Sequence, residues 1–489
     1  MIDAATKAAY TTTIGIECHV QLKTKTKLFS AVGNDAREAP VNTLVSHIDF
    51  GMPGALPVLN QAAVYLAVKA AFALGTTPER FSKFDRKHYF YPDLPKGYQI
   101  TQFDEPIIGK GELTIEVNGK SKTIGITRAH MEEDAGKSTH PAGQDYSLVD
   151  LNRAGTPLLE IVSEPDMHSA AEAKAYAHEL YLRMRYADVS EANLFYGNMR
   201  FDVNVSVSKT AELGTRTETK NINSFRAVEK SVEYEVARQI EVLEKGGTIN
   251  QETRGWDDAK QRTFSQRSKE NADDYRYMPD PDLPPIVLDE AYIAAIEAAM
   301  PIMPDEWRRR LTALGLDKPQ IETLLDAQVE HSDEQYLQLL ETGLGDAALV
   351  KQLADWLVNI DVPYVREHLD TTRTVDRQLL YVAVSRQLAD GQLSSTNAKA
   401  LITDLLAAET LPADIASFAA AKGYLQESDE MVIAAIVAQV LADNPKAAHD
   451  VRSGETKVIG FLVGQVMKAS KGKANPGLAQ QLIKRQLAS

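Results

Sequence analysis

A ten-residue run near the start of the chain constrains the fold more than any other segment. Along residues 13–22, apolar side chains alternate with a second series formed by Gly15, Glu17, His19 and Gln21. Because successive side chains of a strand point to opposite faces, this alternation predicts a β-strand with one buried and one polar face. Glu17 and His19 would then project side by side, as in a divalent-metal site or an acid–base pair. A solvated outer face of an antiparallel strand is the alternative interpretation.

Three later segments repeat this design. A predicted strand pair at residues 147–153 and 158–166 contains Glu160 as the single acid of an aliphatic run, where a carboxylate needs a cation or hydrogen-bond donors. Two further strands carry polar series on one face, namely Arg200, Asp202, Asn204 and Ser206, and then Arg216, Glu218 and Lys220. The four segments together predict an antiparallel sheet whose polar face suits metal ions and phosphates, as ATP-dependent phosphoryl transfer requires.

Composition limits the class of protein. The chain has 489 residues, 44% hydrophobic and 25% charged, which is typical of a soluble globular protein of about three domains. No segment approaches the ~18 continuous apolar residues of a membrane span, and the N-terminus lacks a signal-peptide core. We therefore expect a cytoplasmic protein with no membrane partner. The net charge of −15 argues against a protein that coats nucleic acid but leaves room for a local basic patch.

Two other segments carry candidate binding chemistry. Residues 80–99 interleave five cations with six aromatic side chains, which suits phosphate binding and stacking on a base. A β-ribbon with core aromatics and solvated cations is an equally good interpretation. Glu132, Glu133 and Asp134 are three adjacent carboxylates, which repel one another unless water, a cation or a basic group neutralises them. Spacing alone leaves open which of the three faces a site.

The pattern changes to amphipathic helices by about residue 300. Residues 301–410 predict an all-α helical domain, and residues 411–489 predict a small helical tail. Residues 1–300 would form the α+β catalytic domain built on the antiparallel sheet. This division gives three domains.

Several runs of the sequence resemble the GatB family, the B subunits of the tRNA-dependent amidotransferases. The runs are residues 14–22, 83–87, 89–93, 130–140, 147–165, 220–225, 273–277, 279–284 and 460–468. The resemblance extends nearly end to end, and it implies a catalytic domain similar in fold to glutamine synthetase and a YqeY-like tail.

The same resemblance implies an enzyme that uses ATP and Mg²⁺ to phosphorylate the side-chain carboxylate of Glu or Asp mischarged on tRNA(Gln) or tRNA(Asn). Ammonia from glutamine then displaces the phosphate. The partners implied are the A and C subunits of the heterotrimeric amidotransferase, of which A is the glutaminase, and the mischarged tRNA. A non-catalytic tRNA-docking component of the same complex is the alternative. The sequence leaves open which of the two tRNAs is the substrate.

The resemblance also implies site residues, which are the residues of this chain that match the functional positions of the family motifs. Four residues would be catalytic and hold the magnesium ion: Glu17, His19, Glu133 and Glu160. Lys87 and Lys96 match catalytic-site residues near the ammonia route. Arg267 and Arg276 would contact ATP phosphates, on charge alone.

The cysteine content carries two expectations. Cys18 is the only cysteine, which excludes an intrachain disulfide and a cysteine-based zinc site. Some family members carry four cysteines for a structural zinc, and here no zinc is expected. On a strand Cys18 points away from His19, so a Cys–His glutaminase pair does not form and ammonia must come from a partner.

The end of the chain is basic although the whole chain is acidic. Residues 451–489 hold seven lysines and arginines against one acid. Lys468, Lys471 and Lys473 flank a glycine turn, where we expect them to bind tRNA phosphates without reading bases. A solvated helical face with surplus lysines is the alternative.

Overall fold

The computed structural model describes residues 3–141, 143–268, 275–331, 334–341, 346–368, 375–426, 430–470 and 473–488. The chain divides into two compact units, residues 1–306 and residues 307–489. The first unit combines a large sheet with helices, and the second is helical. The predicted fold class, an α+β domain with an antiparallel sheet followed by a helical region, is confirmed. The three domain boundaries remain predictions.

The strands all belong to the first unit within the described part of the chain. They are β1 (Thr11–Gln21), β2 (Phe81–Ser82), β3 (Asp85–His88), β4 (Tyr98–Thr101), β5 (Gly111–Val117), β6 (Lys120–Glu133), β7 (Lys137–Thr139), β8 (Leu148–Asp150), β9 (Pro157–Ser163), β10 (Met199–Ser208), β11 (Thr217–Ile222), β12 (Glu252–Asp257), β13 (Arg262–Ser268), β14 (Met278–Pro279) and β15 (Ile286–Val287).

The main sheet has the strand order β13-β12-β11-β10-β1-β9-β6-β4-β3-β14, and β5 pairs with β6 beside this path. Every pairing is antiparallel except that of β11 with β12. One sequence prediction was wrong: β8 and β9 do not pair with each other. β8 pairs with β7, whereas β9 lies between β1 and β6. Pairing partners depend on long-range packing, which the alternation within one strand does not encode.

Helices cover the apolar face of the sheet. The first unit contains α1 (Ala4–Ala8), α2 (Gln61–Ala73), α3 (Ala170–Tyr186), α4 (Phe225–Glu244) and α5 (Glu290–Ala298), and α6 (Pro304–Ala313) begins at its end. Asn60 and Ser224 accept hydrogen bonds from the first turns of α2 and α4 and so cap these helices. The buried faces of α2, α3 and α4 form one hydrophobic core with the sheet.

The burial pattern of β1 confirms its predicted alternation. Ile14, Ile16, Cys18 and Val20 are at most 1% exposed and belong to this core. Glu17 and His19 are partly exposed on the opposite face. Because the helices pack on the apolar face, the polar face of the central strands is left as the floor of an open cleft.

The second unit consists of short helices. They are α7 (Lys318–Glu330), α8 (Tyr336–Glu341), α9 (Ala347–Trp356), a π-helical segment (Leu357–Asp361), α10 (Val362–Glu367), α11 (Arg377–Ala389), α12 (Ser395–Leu406), α13 (Ile415–Ala421), α14 (Glu430–Asp443), α15 (Pro445–Arg452), a 3-10 turn (Thr456–Val458), α16 (Ile459–Ala469) and α17 (Pro476–Ala488). Helices α14 to α17 share a hydrophobic core of their own. Among the described residues no single helix is long and apolar enough to cross a membrane, and only α14 and α15 together, bent by 100°, meet the required length and composition.

Candidate active site

Strand register brings the polar residues of the sheet together. His19 of β1 lies opposite Glu160 of β9 on one side and Arg200 of β10 on the other. Glu17 lies opposite Asp202 of β10. Opposed residues on one face of an antiparallel pair have Cβ atoms only about 5 Å apart, so these side chains meet above the sheet.

The first cluster joins an imidazole to two carboxylates. The Nε2 atom of His19 lies 3.3 Å from Glu160 Oε2 and 3.6 Å from Glu132 Oε1. One ligand atom from each of the three residues lies within 4.8 Å of the others. The Nε2 atom of His130 is 3.6 Å from both carboxylates, while its buried Nδ1 atom has no hydrogen-bond partner among the described residues.

A second cluster consists of three carboxylates and one lysine. Glu17, Asp202 and Glu218 bring ligand atoms within 4.8 Å of one another. Lys220 Nζ lies 2.7 Å from Asp202 Oδ2 and 3.3 Å from Glu218 Oε1. The amide of Asn204 donates a 3.2 Å hydrogen bond to Glu17 Oε1.

The pKa values of the two clusters report crowded negative charge. Burial raises the pKa of Glu17, and repulsion from Glu160 adds to the effect. Burial would lower the pKa of His19, but the hydrogen bond and charge of Glu160 outweigh it and raise that pKa to about 9. Burial opposes ionisation of Glu160 as well, yet the His130 and His19 imidazoles hold the pKa of this carboxyl well below its usual range. Protons and cations thus balance the negative charge of the acids. The ligand atoms of the two clusters form a donor set that a divalent cation fits.

Glu133, one of the four predicted metal ligands, lies away from this cluster. Its Oε1 atom pairs with the Lys96 ammonium and accepts a 2.9 Å hydrogen bond from the Ile100 amide. Its neighbour Glu132 occupies the place beside His19 instead. Adjacent residues of β6 point to opposite faces, so only one of them can join the cluster. The metal role of Glu133 remains a prediction that this geometry does not favour, and the structure brings together the other three predicted ligands across both clusters.

The predicted lysines have different surroundings. Lys87 lines the same cavity of about 340 Å³ as the two clusters, and its Nζ atom lies 4.7 Å from the centre of the Tyr275 ring. Burial would lower the pKa of Lys87, but the charges of Tyr277, Glu132 and Glu160 outweigh it and raise that pKa. Lys96 is buried with Glu133 rather than exposed in the cavity.

The structure describes only some of the residues predicted to contact ATP or tRNA. Arg276 lines a neighbouring cavity that also contains Lys87 and Tyr275. Arg267 belongs to β13, opposite Thr253, but its side chain lies outside the described residues. In the second unit Lys468 and Lys473 are exposed, and Lys471 lies outside the described residues.

Each of the two interpretations of the aromatic segment at residues 80–99 holds for part of it. Phe84 packs in the core against Phe29, with ring centres 5.2 Å apart. Phe90 and Tyr91 are exposed, while Tyr89 lines the same cavity as the two clusters. A ribbon with core aromatics and an aromatic rim of the site are therefore both present.

Sequence reasoning did not assign several residues of the site. They are Glu132, His130, Asp202, Glu218, Lys220 and Asp134. The alternation along two predicted strands was the available signal for Asp202, Glu218 and Lys220, and the run of three adjacent acids was the signal for Glu132 and Asp134. Asp134 shows what the strand pattern could not give: its carboxylate lies 3.1 Å from Arg200 and 3.3 Å from Arg153, and despite burial these cations lower its pKa.

Cys18 cannot serve as a nucleophile in this arrangement. Its side chain lies in the hydrophobic core, and His19 faces the cleft on the other side of the sheet. Burial raises the pKa of the thiol well above its ordinary value, which keeps it protonated.

Comparison with known proteins finds similarity along nearly the whole chain. The GatB/GatE catalytic domain matches residues 12–294, and the GatB domain matches residues 338–487. A protein of Thioalkalivibrio sulfidiphilus, named as the B subunit of aspartyl/glutamyl-tRNA(Asn/Gln) amidotransferase, is 45% identical over 481 residues, which is 97% of this chain and 99% of the relative. Proteins with the same name from Bacillus pumilus and Carboxydothermus hydrogenoformans are 43% and 42% identical, and each alignment covers at least 97% of both chains.

Proposed function

The chain belongs to the GatB family of amidotransferase subunits, as its motifs predicted, and from this premise we propose that its cleft activates a tRNA-bound carboxylate with ATP and Mg²⁺. The substrates would be Glu-tRNA(Gln) or Asp-tRNA(Asn), converted to Gln-tRNA(Gln) or Asn-tRNA(Asn). The chain would act in the cytoplasm with the other two members of a heterotrimer, the glutaminase subunit and the C subunit.

The observation that carries the proposal is the pair of carboxylate clusters on the floor of the cleft. His19, Glu132 and Glu160 would hold one magnesium ion, and the donor set of Glu17, Asp202 and Glu218 suits a second. Bound magnesium supplies charge neutralisation for the phosphates of ATP. A docking surface that only held tRNA would gain nothing from burying six ligand groups of mostly one charge.

Lys87 fits the role of an electrostatic stabiliser. Its raised pKa keeps it protonated at neutral pH, and it lines the same cavity as both clusters. A fixed ammonium group there would stabilise the negative oxygen that develops when ammonia attacks the carbonyl carbon of the acyl phosphate. Phosphate leaves in that step, and the amide remains on the tRNA.

Lys96 and Glu133 fit a role in the passage of ammonia. Gln99 links their buried ion pair to the cavity. This residue lines the cavity, and its Nε2 atom donates a 2.8 Å hydrogen bond to the backbone carbonyl of Glu133. The core position of Cys18 supports the need for a separate glutaminase.

The test is amide formation by the complex reconstituted with the glutaminase subunit and the C subunit. Each mischarged tRNA is supplied with ATP, Mg²⁺ and either glutamine or ammonium. We expect amide formation from at least one tRNA and its loss in Glu160→Gln, which keeps the shape of the side chain but removes a charge from the first cluster. Full activity of Glu160→Gln in the assembled complex would favour a docking role instead, as would a failure of Mg²⁺-ATP to bind the wild-type chain.

A further inference from the structure

A buried ion pair in the segment between β1 and α2 belongs to neither of the carboxylate clusters. It consists of Lys27 and Asp49, whose side chains are at most 3% exposed. The Lys27 ammonium lies 3.5 Å from Asp49 Oδ2 and donates a 2.6 Å hydrogen bond to the Leu44 carbonyl. Desolvation offsets much of the attraction within a buried ion pair, so the contacts of the pair with other groups decide what it contributes.

Two further residues of the segment donate hydrogen bonds to the Asp49 carboxylate. The Ser30 hydroxyl donates at 3.2 Å and the Ser46 amide at 2.8 Å. The Ser46 hydroxyl in turn accepts hydrogen bonds from the amides of Ile48 and Asp49, at 3.1 Å and 3.3 Å. This arrangement does not suit a divalent cation, because the Lys27 ammonium already neutralises the carboxylate. The segment also contains no cysteine that could bind the structural zinc of some family members.

The ion pair packs against a turn that leads to the catalytic cleft. Residues 152–155, here called the Gly155 turn, connect β8 with β9. Gly155 has a φ of +83°, and a Cβ atom at this position would lie 2.7 Å from Asp49 Oδ1 and 3.4 Å from Lys27 Cδ. Only glycine allows the backbone to approach the carboxylate so closely. The Leu28 amide donates a 2.8 Å hydrogen bond to the Gly155 carbonyl, so backbone and side chains of the segment both hold the turn.

The Gly155 turn is hydrogen-bonded to Asp134, which lines the cavity of the two clusters. The Gly155 amide donates a 2.9 Å hydrogen bond to the Asp134 carbonyl, and the Asp134 amide donates a 2.8 Å hydrogen bond to the Thr156 carbonyl. The Asp134 carboxylate lies 3.1 Å from Arg200, which is opposite His19 in the strand register. A continuous series of contacts therefore connects the buried ion pair with the catalytic cleft.

A second contact of the segment reaches the buried pair of Lys96 and Glu133. Gly51 has a φ of +65°, and a Cβ atom at this position would lie 2.6 Å from Lys96 Cγ. Lys27 senses the same region, because burial lowers its pKa while the negative charges of Asp49 and Glu133 act against this effect. The charge of the Lys27 ammonium thus depends on Asp49, and loss of this carboxylate would leave a buried cation with little compensation.

We propose that Asp49 is a positioning residue of the catalytic cleft. The ion pair that it forms with Lys27 fixes the Gly155 turn. This turn holds the Asp134 carboxylate in reach of Arg200, beside the first carboxylate cluster. The effect on catalysis rests on the proposed function, which assigns the cleft to Mg²⁺ and ATP, whereas the effect on the Gly155 turn does not.

The test compares variants of the ion pair in the reconstituted complex. Asp49→Asn and Lys27→Met each remove one of the two buried charges, and the double variant removes both. Glu179→Gln is the matched control, because it breaks another buried ion pair, in which the Arg183 guanidinium lies 2.9 Å from Glu179. This control pair belongs to α3, which packs on the apolar face of the sheet, away from the cleft.

Amide hydrogen exchange followed by mass spectrometry reports the position of the turn. In each single variant we expect residues 130–136 and 150–158 to exchange at least roughly tenfold faster than in wild type, since one buried charge is left unpaired. Residues 225–244 of α4 should change by less than about twofold. The double variant should return to within about threefold of wild type, because it leaves no unpaired charge. Glu179→Gln should affect the cleft segments and α4 alike.

The Mg²⁺ requirement reports the effect on the cleft. The Mg²⁺ concentration for half-maximal ATP cleavage by the complex should rise by at least about threefold in each single variant, because a displaced Asp134 alters the charges around the first cluster. It should stay within about twofold of wild type in the double variant and in Glu179→Gln. This concentration does not depend on the amount of folded enzyme, so a purely structural role would leave it unchanged.

Several results would overturn the inference. Equal acceleration of exchange in the cleft segments and in α4 by Asp49→Asn would make the ion pair a general support of the fold. An unchanged Mg²⁺ requirement in both single variants would separate the ion pair from the cleft. A copurified metal ion whose removal by a chelator speeds exchange at the Gly155 turn would replace the ion pair as the element that fixes this turn.

Two further outcomes still decide the question. If Asp49→Asn does not fold, Lys27→Met supplies both measurements. If the wild-type complex cleaves no ATP, the proposed function is contradicted, while hydrogen exchange still shows whether Asp49 fixes the Gly155 turn.

Discussion

Glu132 and Glu133 are chemically identical neighbours on β6 with opposite surroundings. Glu132 lies 3.6 Å from the imidazole of His19 above the sheet, and Glu133 pairs with Lys96 below it. Strand geometry makes this division obligatory, because adjacent side chains cannot share a face. The role of each carboxylate thus depends on its face rather than on its chemistry.

The first prediction separates these two neighbours. Glu132→Gln should raise the Mg²⁺ concentration for half-maximal ATP cleavage by at least roughly tenfold, because it removes a charge from the first cluster. Glu133→Gln should change that concentration by less than about twofold, whatever it does to the amount of folded enzyme. Magnesium titration of the steady-state rate of the assembled complex measures both. An equal shift in the two variants would restore Glu133 as a metal ligand.

At the scale of elements, one buried carboxylate joins a helix to the edge of the sheet. Glu235 of α4 is fully buried and accepts hydrogen bonds from Arg238 of its own helix, from Thr217 of β11 at 2.8 Å and from Thr263 of β13. The guanidinium of Arg254 on β12 lies 3.0 Å from it. This single side chain therefore connects three strands with the helix that covers them.

We predict that Glu235→Gln destabilises the first unit by about 3 kcal/mol at pH 7, because it removes the buried anion that faces the guanidinium groups of Arg238 and Arg254. Glu241→Gln on the exposed side of the same helix is the control and should leave the free energy of unfolding close to the wild-type value, since its pair with Lys245 is solvated. Urea unfolding followed by circular dichroism measures both values. Equal destabilisation by the two substitutions would contradict the connecting role of Glu235.

The same carboxylate predicts a pH dependence. Burial would raise its pKa, but the hydrogen bonds from Arg238 and Thr263 outweigh burial and lower the pKa from its ordinary value of 4.5. A group with a lowered pKa in the folded state stabilises the fold above its unfolded pKa and loses this contribution as pH falls through the folded value. The difference in stability between wild type and Glu235→Gln should therefore be constant at neutral pH and shrink below about pH 4.5. Urea unfolding repeated across this pH range measures the difference, and a constant value down to acid pH would contradict the prediction.

At the scale of the whole molecule, charge is distributed unevenly along the sequence. The chain carries a net charge of −15, yet its last 39 residues hold seven basic residues and one acid. Lys468, in the last turn of α16, and Lys473 are exposed, where they are accessible to a polyanion. A basic segment on an acidic protein is the expected feature of a site for RNA phosphates.

We predict that Lys468→Ala combined with Lys473→Ala weakens tRNA binding by the complex and reduces the slope of log affinity against log salt by up to about 2, one for each lost phosphate contact. Binding of Mg²⁺-ATP to the first unit should not change. Lys120→Ala, at the exposed turn between β5 and β6, is the control for loss of one positive charge elsewhere. An unchanged salt slope in the double variant would make these lysines a solvated surface.

The sequence by itself determined the local elements and their faces. The alternation along residues 13–22 is sufficient to specify β1 and the separation of Glu17 and His19 from Cys18, because side-chain direction in a strand is a property of the backbone. The caps of α2 and α4 by Asn60 and Ser224 are local in the same way, since each joins a side chain to the first turn of the helix that follows it. Family motifs then pointed to the cleft as the catalytic region and gave three of the residues in its two clusters.

Only the tertiary structure decided which side chains meet. The partners of β9, the choice of Glu132 over Glu133, and the contact of Gly51 with Lys96 all join residues that are far apart in the chain or differ only in strand register. Such pairs depend on how helices and strands pack into one core, and shifting the register by one residue exchanges the faces of a whole strand. The residue types therefore determined which chemical groups the site contains, while the packing of the sheet determined its geometry.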